Sequence, residues 1–277
     1  MFAHEFMRNA LLAGTFVGVA CGLVGYFVVL RAQVFAGDAL SHLAFTGALG
    51  AAVLGLDIVA GLFFATIVGG IVIGALGDRA RADDVAIGTF FAWTLGLGVL
   101  FLSIFTTSSS AGNGTAGVRV LFGSILGLSG ADVRTSVSIA MLASAALLTI
   151  ARPLLFASLD AGVAAAQGVP VRALGLGFLA LLGLVAAEAS QAVGALLLLG
   201  LLAAPAGAAH RITSNPYRGL LLSAVLAVAS VWIGLTLSYA FPTLPPSSMI
   251  IATAVAAYVL AFAATVGRRR PVGRYLG

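Results

Sequence analysis

Almost nothing in this chain is suited to face water. Apolar residues recur in nine runs, at 9–30, 34–56, 58–76, 85–104, 132–150, 174–188, 192–209, 219–241 and 249–266. Most of these runs are long enough for a helix to cross a hydrocarbon core of about 30 Å. Charged residues make up only 8% of the chain, against about 25% in a soluble domain, so lipid must be the solvent for most of the surface. The expectation is an all-α, polytopic membrane bundle of about nine helices (eight to ten), with residues 1–277 forming a single domain and no tract left for a soluble one.

The punctuation between runs is short: Arg31, 77–84, 152–172, 210–218 and 242–248. The Ser/Thr/Gly-rich stretch 105–117 reads as a loop. The apolar segment 118–130 has thirteen residues and would reach only about 20 Å as a helix. It is expected to be re-entrant or interfacial.

All fourteen basic residues are Arg, and their distribution sets the orientation. With nine spans, one side receives Arg31, Arg79, Arg81, Arg152, Arg172, Arg211, Arg218, Arg268, Arg269, Arg270 and Arg274, and the other only Arg8, Arg119 and Arg134. Eleven against three puts the C-terminus in the cytoplasm and the N-terminus outside. The net charge of +5 therefore reads as membrane topology and not as a nucleic-acid footprint. The segment Met1–Arg8 carries His4 and Glu5, and no small-residue cleavage site stands near Gly25, so a cleaved leader is not expected. Gly14, Gly18 and Gly22 repeat every four residues, a ridge that lets another helix approach closely.

Ionisable residues inside spans are costly and mark candidate sites. Asp38 and His42 lie four apart in FAGDALSHLAFTGALG and so share a helix face. A carboxylate and an imidazole at this spacing can hold one ion together, and the mixed O/N donors suit zinc, manganese or iron(II) better than calcium or magnesium. A simple hydrogen-bonded pair is the alternative. Two ligands are too few for a closed site, and a homodimer would supply two Asp and two His. Glu188, near Gln191, is placed at the outer end of the sixth span, either as a cation-attracting group or as a solvated residue between two spans. Asp57 reads as a turn residue and Cys21 as a buried small apolar one.

A phosphate loop needs a Lys, and this chain has none. Any ATP hydrolysis must come from another subunit. No serine elbow or two-histidine protease motif appears, and an enzyme is not expected.

Several stretches carry a resemblance that covers the chain nearly end to end. GDALSH at 37–42 is the most specific, followed by FGSILGLS at 122–129, AAAQGVPV at 164–171, QAVGALLLLGLLAAPAGAA at 191–209, and the last span after the Pro-rich 242–246. With these motifs the chain resembles the membrane permease of the zinc/manganese class of ABC importers, relatives of the cobalamin and siderophore permeases. The resemblance implies a bacterial plasma-membrane importer in which two permease copies pair around a central path. Two cytoplasmic ATP-binding subunits would drive them, and an extracytoplasmic metal-binding protein would deliver Zn²⁺ or Mn²⁺ as substrate. No cofactor resident in this chain is implied.

The resemblance also implies that Asp38 and His42 line the metal path and that 159–171 is the coupling segment. Its residues Leu159, Asp160, Ala164, Ala165, Gln167, Gly168, Val169 and Pro170 would meet the ATPase. The chain has Thr46-Gly47 where the family often has Pro-Gly, and only Asp160 where the coupling segment is usually more acidic. A proton-coupled secondary transporter, with Asp38 or Glu188 as relay, and an ABC permease for a metal chelate are the competing readings.

Overall fold

The computed structural model describes residues 4–77, 84–108, 123, 125–195 and 198–266. Seven of the arginines counted above (79, 81, 119, 268–270 and 274), most of the 105–117 loop and residues 118–122 lie outside them.

Ten α-helices follow one another among the described residues: α1 (Glu5–Leu30), α2 (Val34–Val53), α3 (Ile58–Leu76), α4 (Asp84–Ser108), α5 (Gly130–Leu159), α6 (Ala161–Ala166), α7 (Val171–Ala192), α8 (Leu198–Ile212), α9 (Pro216–Ala240) and α10 (Pro246–Val266). Seven of them are long and apolar enough to cross a membrane: α1, α3, α4, α5, α7, α9 and α10. Of the rest, α2 is 20 residues long and carries Asp38 and His42. Helix α8 has 15 residues and reaches about 22 Å, and α6 is a single short piece. The nine longer helices fall on the nine apolar runs.

Polar residues at the breaks start the helices. The Asp57 carboxylate accepts from the Ala60 N–H at 2.7 Å and caps α3. Ser129 and Asp132 form a capping box at the start of α5. The side chain of Asn215, followed by Pro216, caps α9.

Of the seven apolar spans, α1 and α7 are the most enclosed, while α4 and α10 turn most of their surface outward. The glycine ridge of α1 packs on α9. A Cβ at Gly22 would stand 2.5 Å from the Ala224 Cα, and the Ser223 hydroxyl donates to the Gly22 carbonyl at 2.6 Å.

The helices alternate between two ends. His4 packs against Tyr239 at one end. Near the opposite end Arg211 stacks on Tyr258 and Phe262, close to the last turn of α10. The described part of the 118–130 segment does not cross. It makes one 3-10 turn, Ile125–Gly127, with Ile125 buried against Gly14, and the Asn9 amide donates to the Leu128 carbonyl.

The structure corrects the sequence expectation at Glu188. The sixth span does not end there: α7 runs to Ala192, and Glu188 is buried inside it, 3% exposed. It is not a solvated loop residue. The Ala-rich stretch Ala186–Ala192 has high helix propensity, and the chain turns only beyond it, where Gly194 takes φ +99°.

Candidate metal site and coupling segment

Asp38 and His42 occupy the N-terminal half of α2, one turn apart. Oδ1 of Asp38 and Nε2 of His42 are 4.0 Å apart, and their side chains are 30% and 20% exposed. That separation is too long for a hydrogen bond. With metal–ligand bonds of about 2.1 Å, one ion can touch both atoms at any separation up to about 4.2 Å. A small rotamer change brings the pair to a bent chelate.

The imidazole is held edge-on by Phe91 of α4, with ring centroids 5.1 Å apart, and Phe91 is backed by Phe35. One turn further along α2, the Thr46 hydroxyl contacts the His42 carbonyl at 3.3 Å and the Thr94 carbonyl of α4 at 3.1 Å. Thr46 therefore pins α2 to α4, and α2 is continuous through Thr46-Gly47.

His42 lies eight residues beyond the start of α2, about 12 Å along a helix of about 30 Å. A part-exposed carboxylate and imidazole at this depth would be costly if they faced lipid. No group of three or more His, Cys, Asp and Glu side chains comes together among the described residues.

Glu188 is not part of this pair. Its surroundings include Cys21 of α1 and Ser136 of α5, and its Oε1 has no hydrogen-bond partner among the described residues. His210 is a packing residue, stacked on Tyr26 with its Nε2 3.0 Å from the Tyr26 carbonyl.

At one end of the bundle, α5 stops at Leu159 and α6 begins after Asp160, whose carboxylate accepts from the Val163 N–H at 2.9 Å. Gln167 closes the helix and Gly168, at φ +82°, turns the chain. The left-handed value favours glycine there. Val169 and Pro170 lead into α7. Along α6, Gly162, Val163, Ala165 and Ala166 are exposed, whereas Ala164 is fully buried. Beside α6 opens a groove of about 980 Å³ whose walls include Gly77, Ala165, Arg172 and Leu176.

One site feature escaped the sequence reading. Arg31, counted only as a charge marking one side of the membrane, is 6% exposed and reaches from the α1–α2 turn to Ser158 at the end of α5. A clue was present in its spacing, since only three residues (31–33) separate α1 from α2.

The sequence profile described as "ABC 3 transport family" matches residues 3–265. The manganese import system permease protein ScaB of Streptococcus gordonii is 30% identical over 273 residues, covering 98% of this chain and 94% of that protein. The manganese transport system membrane protein MntC of Halalkalibacterium halodurans is 28% identical over 263 residues, 95% of this chain and 88% of that one. The chelated iron transport system membrane protein YfeD of Yersinia pestis is 28% identical over 239 residues, 86% and 78% of the two chains. Among solved structures, PsaBC from Streptococcus pneumoniae in complex with Fab superimposes with a TM-score of 0.81 at 28% identity, covering 99% of this chain and 95% of that one. The chain belongs to the ABC 3 transport family and is a multi-pass transport permease, not an enzyme.

Proposed function

We propose that this permease carries divalent transition-metal ions, manganese or zinc, into the cell through a path lined by Asp38 and His42. The observation that carries the reading is that pair. It is a hard oxygen and an imidazole nitrogen on one face of α2, 4.0 Å apart and part-exposed at mid-helix depth. Manganese permeases among the relatives support the same class of cargo.

In this reading a second copy of the chain completes the path with its own Asp38 and His42. Few protein ligands and retained water make a weak site, which a transported ion needs in order to leave. Glu188 lies outside the ion's ligand set. The chain has no Lys and so no phosphate loop. Two cytoplasmic ATP-binding subunits supply the energy and dock on Leu159–Pro170. An extracytoplasmic metal-binding protein loads the opposite face. The arginine count puts the α6 end in the cytoplasm of a bacterial cell and the start of α1 outside.

The test is uptake of radiolabelled manganese and zinc by liposomes holding the permease, its ATP-binding subunits and the binding protein. Uptake that requires ATP and is abolished by Asp38→Asn supports the proposal. Uptake that follows a proton gradient without ATP overturns it in favour of a secondary transporter.

A further inference from the structure

Arg31 ends α1 in a place where a charge is hard to keep. It is 6% exposed. Its Nε donates to Oε1 of Gln33 at 3.2 Å, and its Nη1 donates to the Ser158 hydroxyl at 3.2 Å. Its guanidinium lies 5.6 Å from the centroid of the Phe178 ring on α7. Phe178 is itself fully buried and packs edge-on to Phe27. One planar fork thus touches the end of α5, the start of α2 and the flank of α7.

The backbone around it is unusual. Ala32 takes φ +55°, the one positive φ at a non-glycine among the described residues. L-residues avoid this region, and such strain persists only where the surroundings over-determine it. Gln33 is 2% exposed, its N–H bonds back to the Val28 carbonyl at 2.8 Å, and its Nε2 makes no hydrogen bond among the described residues.

What these residues connect is specific. Ser158 stands two residues before Asp160, the cap of α6. Gln33 is the residue from which α2 starts, and Asp38 follows five residues later. A buried guanidinium is rigid and directional, unlike the flexible point charge of lysine. Displacement of α6 therefore has a short path to α2: through Ser158 to Arg31, and through Gln33 to the helix that bears Asp38 and His42.

We propose that Arg31 is a positioning residue that transmits movement of the coupling segment to the metal-bearing helix, through its simultaneous hold on Ser158 and Gln33. The inference rests on the importer reading given above.

The test uses the whole complex, two permease copies with ATP-binding subunits and binding protein, in liposomes. Wild type is measured first for manganese-dependent uptake and ATP hydrolysis. Failure at that stage refutes the importer reading and not Arg31. Two variants then isolate the strut. Arg31→Lys keeps the charge and loses the fork. Ser158→Ala removes one buried hydroxyl and remains informative if Arg31→Lys assembles poorly. The expected result is normal assembly, normal equilibrium manganese binding and continued ATP hydrolysis, with ions moved per ATP falling about fivefold or more, the scale of a typical coupling between sites. The double variant is expected to be no worse than the poorer single, since both changes cut one link. Ions per ATP unchanged in Ser158→Ala, or losses that simply track reduced assembly or reduced metal binding, overturn the proposal.

Discussion

Oδ1 of Asp38 and Nε2 of His42 stand 4.0 Å apart on one face of α2, too distant to satisfy each other and close enough to share an ion. Asp38→Asn keeps the size and removes the charge. His42→Ala removes the nitrogen donor. Each is expected to lower metal uptake about tenfold or more, the scale on which metal sites respond even to loss of supporting groups. The yield of folded complex should be unchanged, and the double variant little worse than either single one. Uptake by both single variants at the wild-type rate would make the pair structural.

Glu188 tests the limits of the site. Its neighbours are Cys21 and Ser136, and among the described residues no third metal-binding side chain joins Asp38 and His42. Glu188→Gln is therefore expected to leave the equilibrium affinity for manganese unchanged, as measured by titration of the purified complex. A clear drop in affinity with the fold intact would return Glu188 to the pathway.

The coupling segment separates docking from packing within adjacent residues. Ala165 is exposed on α6, and Ala164 is fully buried against the bundle. Ala165→Asp should abolish metal-stimulated ATP hydrolysis while the permease still folds and binds metal. Ala164→Asp places an unpaired charge in the interior, a severe cost, and should reduce folded yield instead. Equal, wild-type coupling in Ala165→Asp would remove α6 from the ATPase interface.

Close approach of α1 and α9 carries its own prediction. The Cβ that Gly22→Ala adds would sit 2.5 Å from the Ala224 Cα and 2.7 Å from the Ser223 carbonyl oxygen, and backbone cannot yield as a side-chain tip does. The expected cost is about 1–3 kcal/mol, seen as a lower thermal midpoint in detergent. Gly130→Ala, at a position with open space around it, is the control and should not move the midpoint.

How much of this was legible in the sequence depends on distance along the chain. Hydropathy alone located the nine longer helices, because a span needs a long apolar run wherever it packs. Asp38 and His42 were legible as a pair because helix geometry makes i and i+4 neighbours whatever the fold. The Gly14-Gly18-Gly22 ridge was legible as a packing face, but not its partner α9. Glu188 was misread because a few polar residues in an Ala-rich stretch look like a turn, and only its burial between α1 and α5 shows a helix continuing to Ala192. The hold of Arg31 on Ser158 spans 127 residues of chain. No local pattern encodes a contact of that range, so a buried strut read as an ordinary boundary charge.

Topology can be tested through the chemistry of the single cysteine. Cys21 is fully buried and should not react with a membrane-impermeant thiol reagent, so the chain provides its own silent background. Ser214 lies in the exposed turn between α8 and α9, and Thr243 in the exposed turn between α9 and α10. One helix, α9, separates the two turns, which places them at opposite ends of the bundle. By the arginine asymmetry Ser214, flanked by Arg211 and Arg218, is expected to face the cytoplasm. In sealed right-side-out vesicles the reagent should label Thr243→Cys at once and Ser214→Cys only after permeabilisation. Labelling in the reverse order would invert the orientation, putting α6 outside the cell and out of reach of any cytoplasmic ATPase. Labelling of both positions from one side would mean that α9 does not cross, which its 25 residues and apolar composition make the hardest outcome to accommodate.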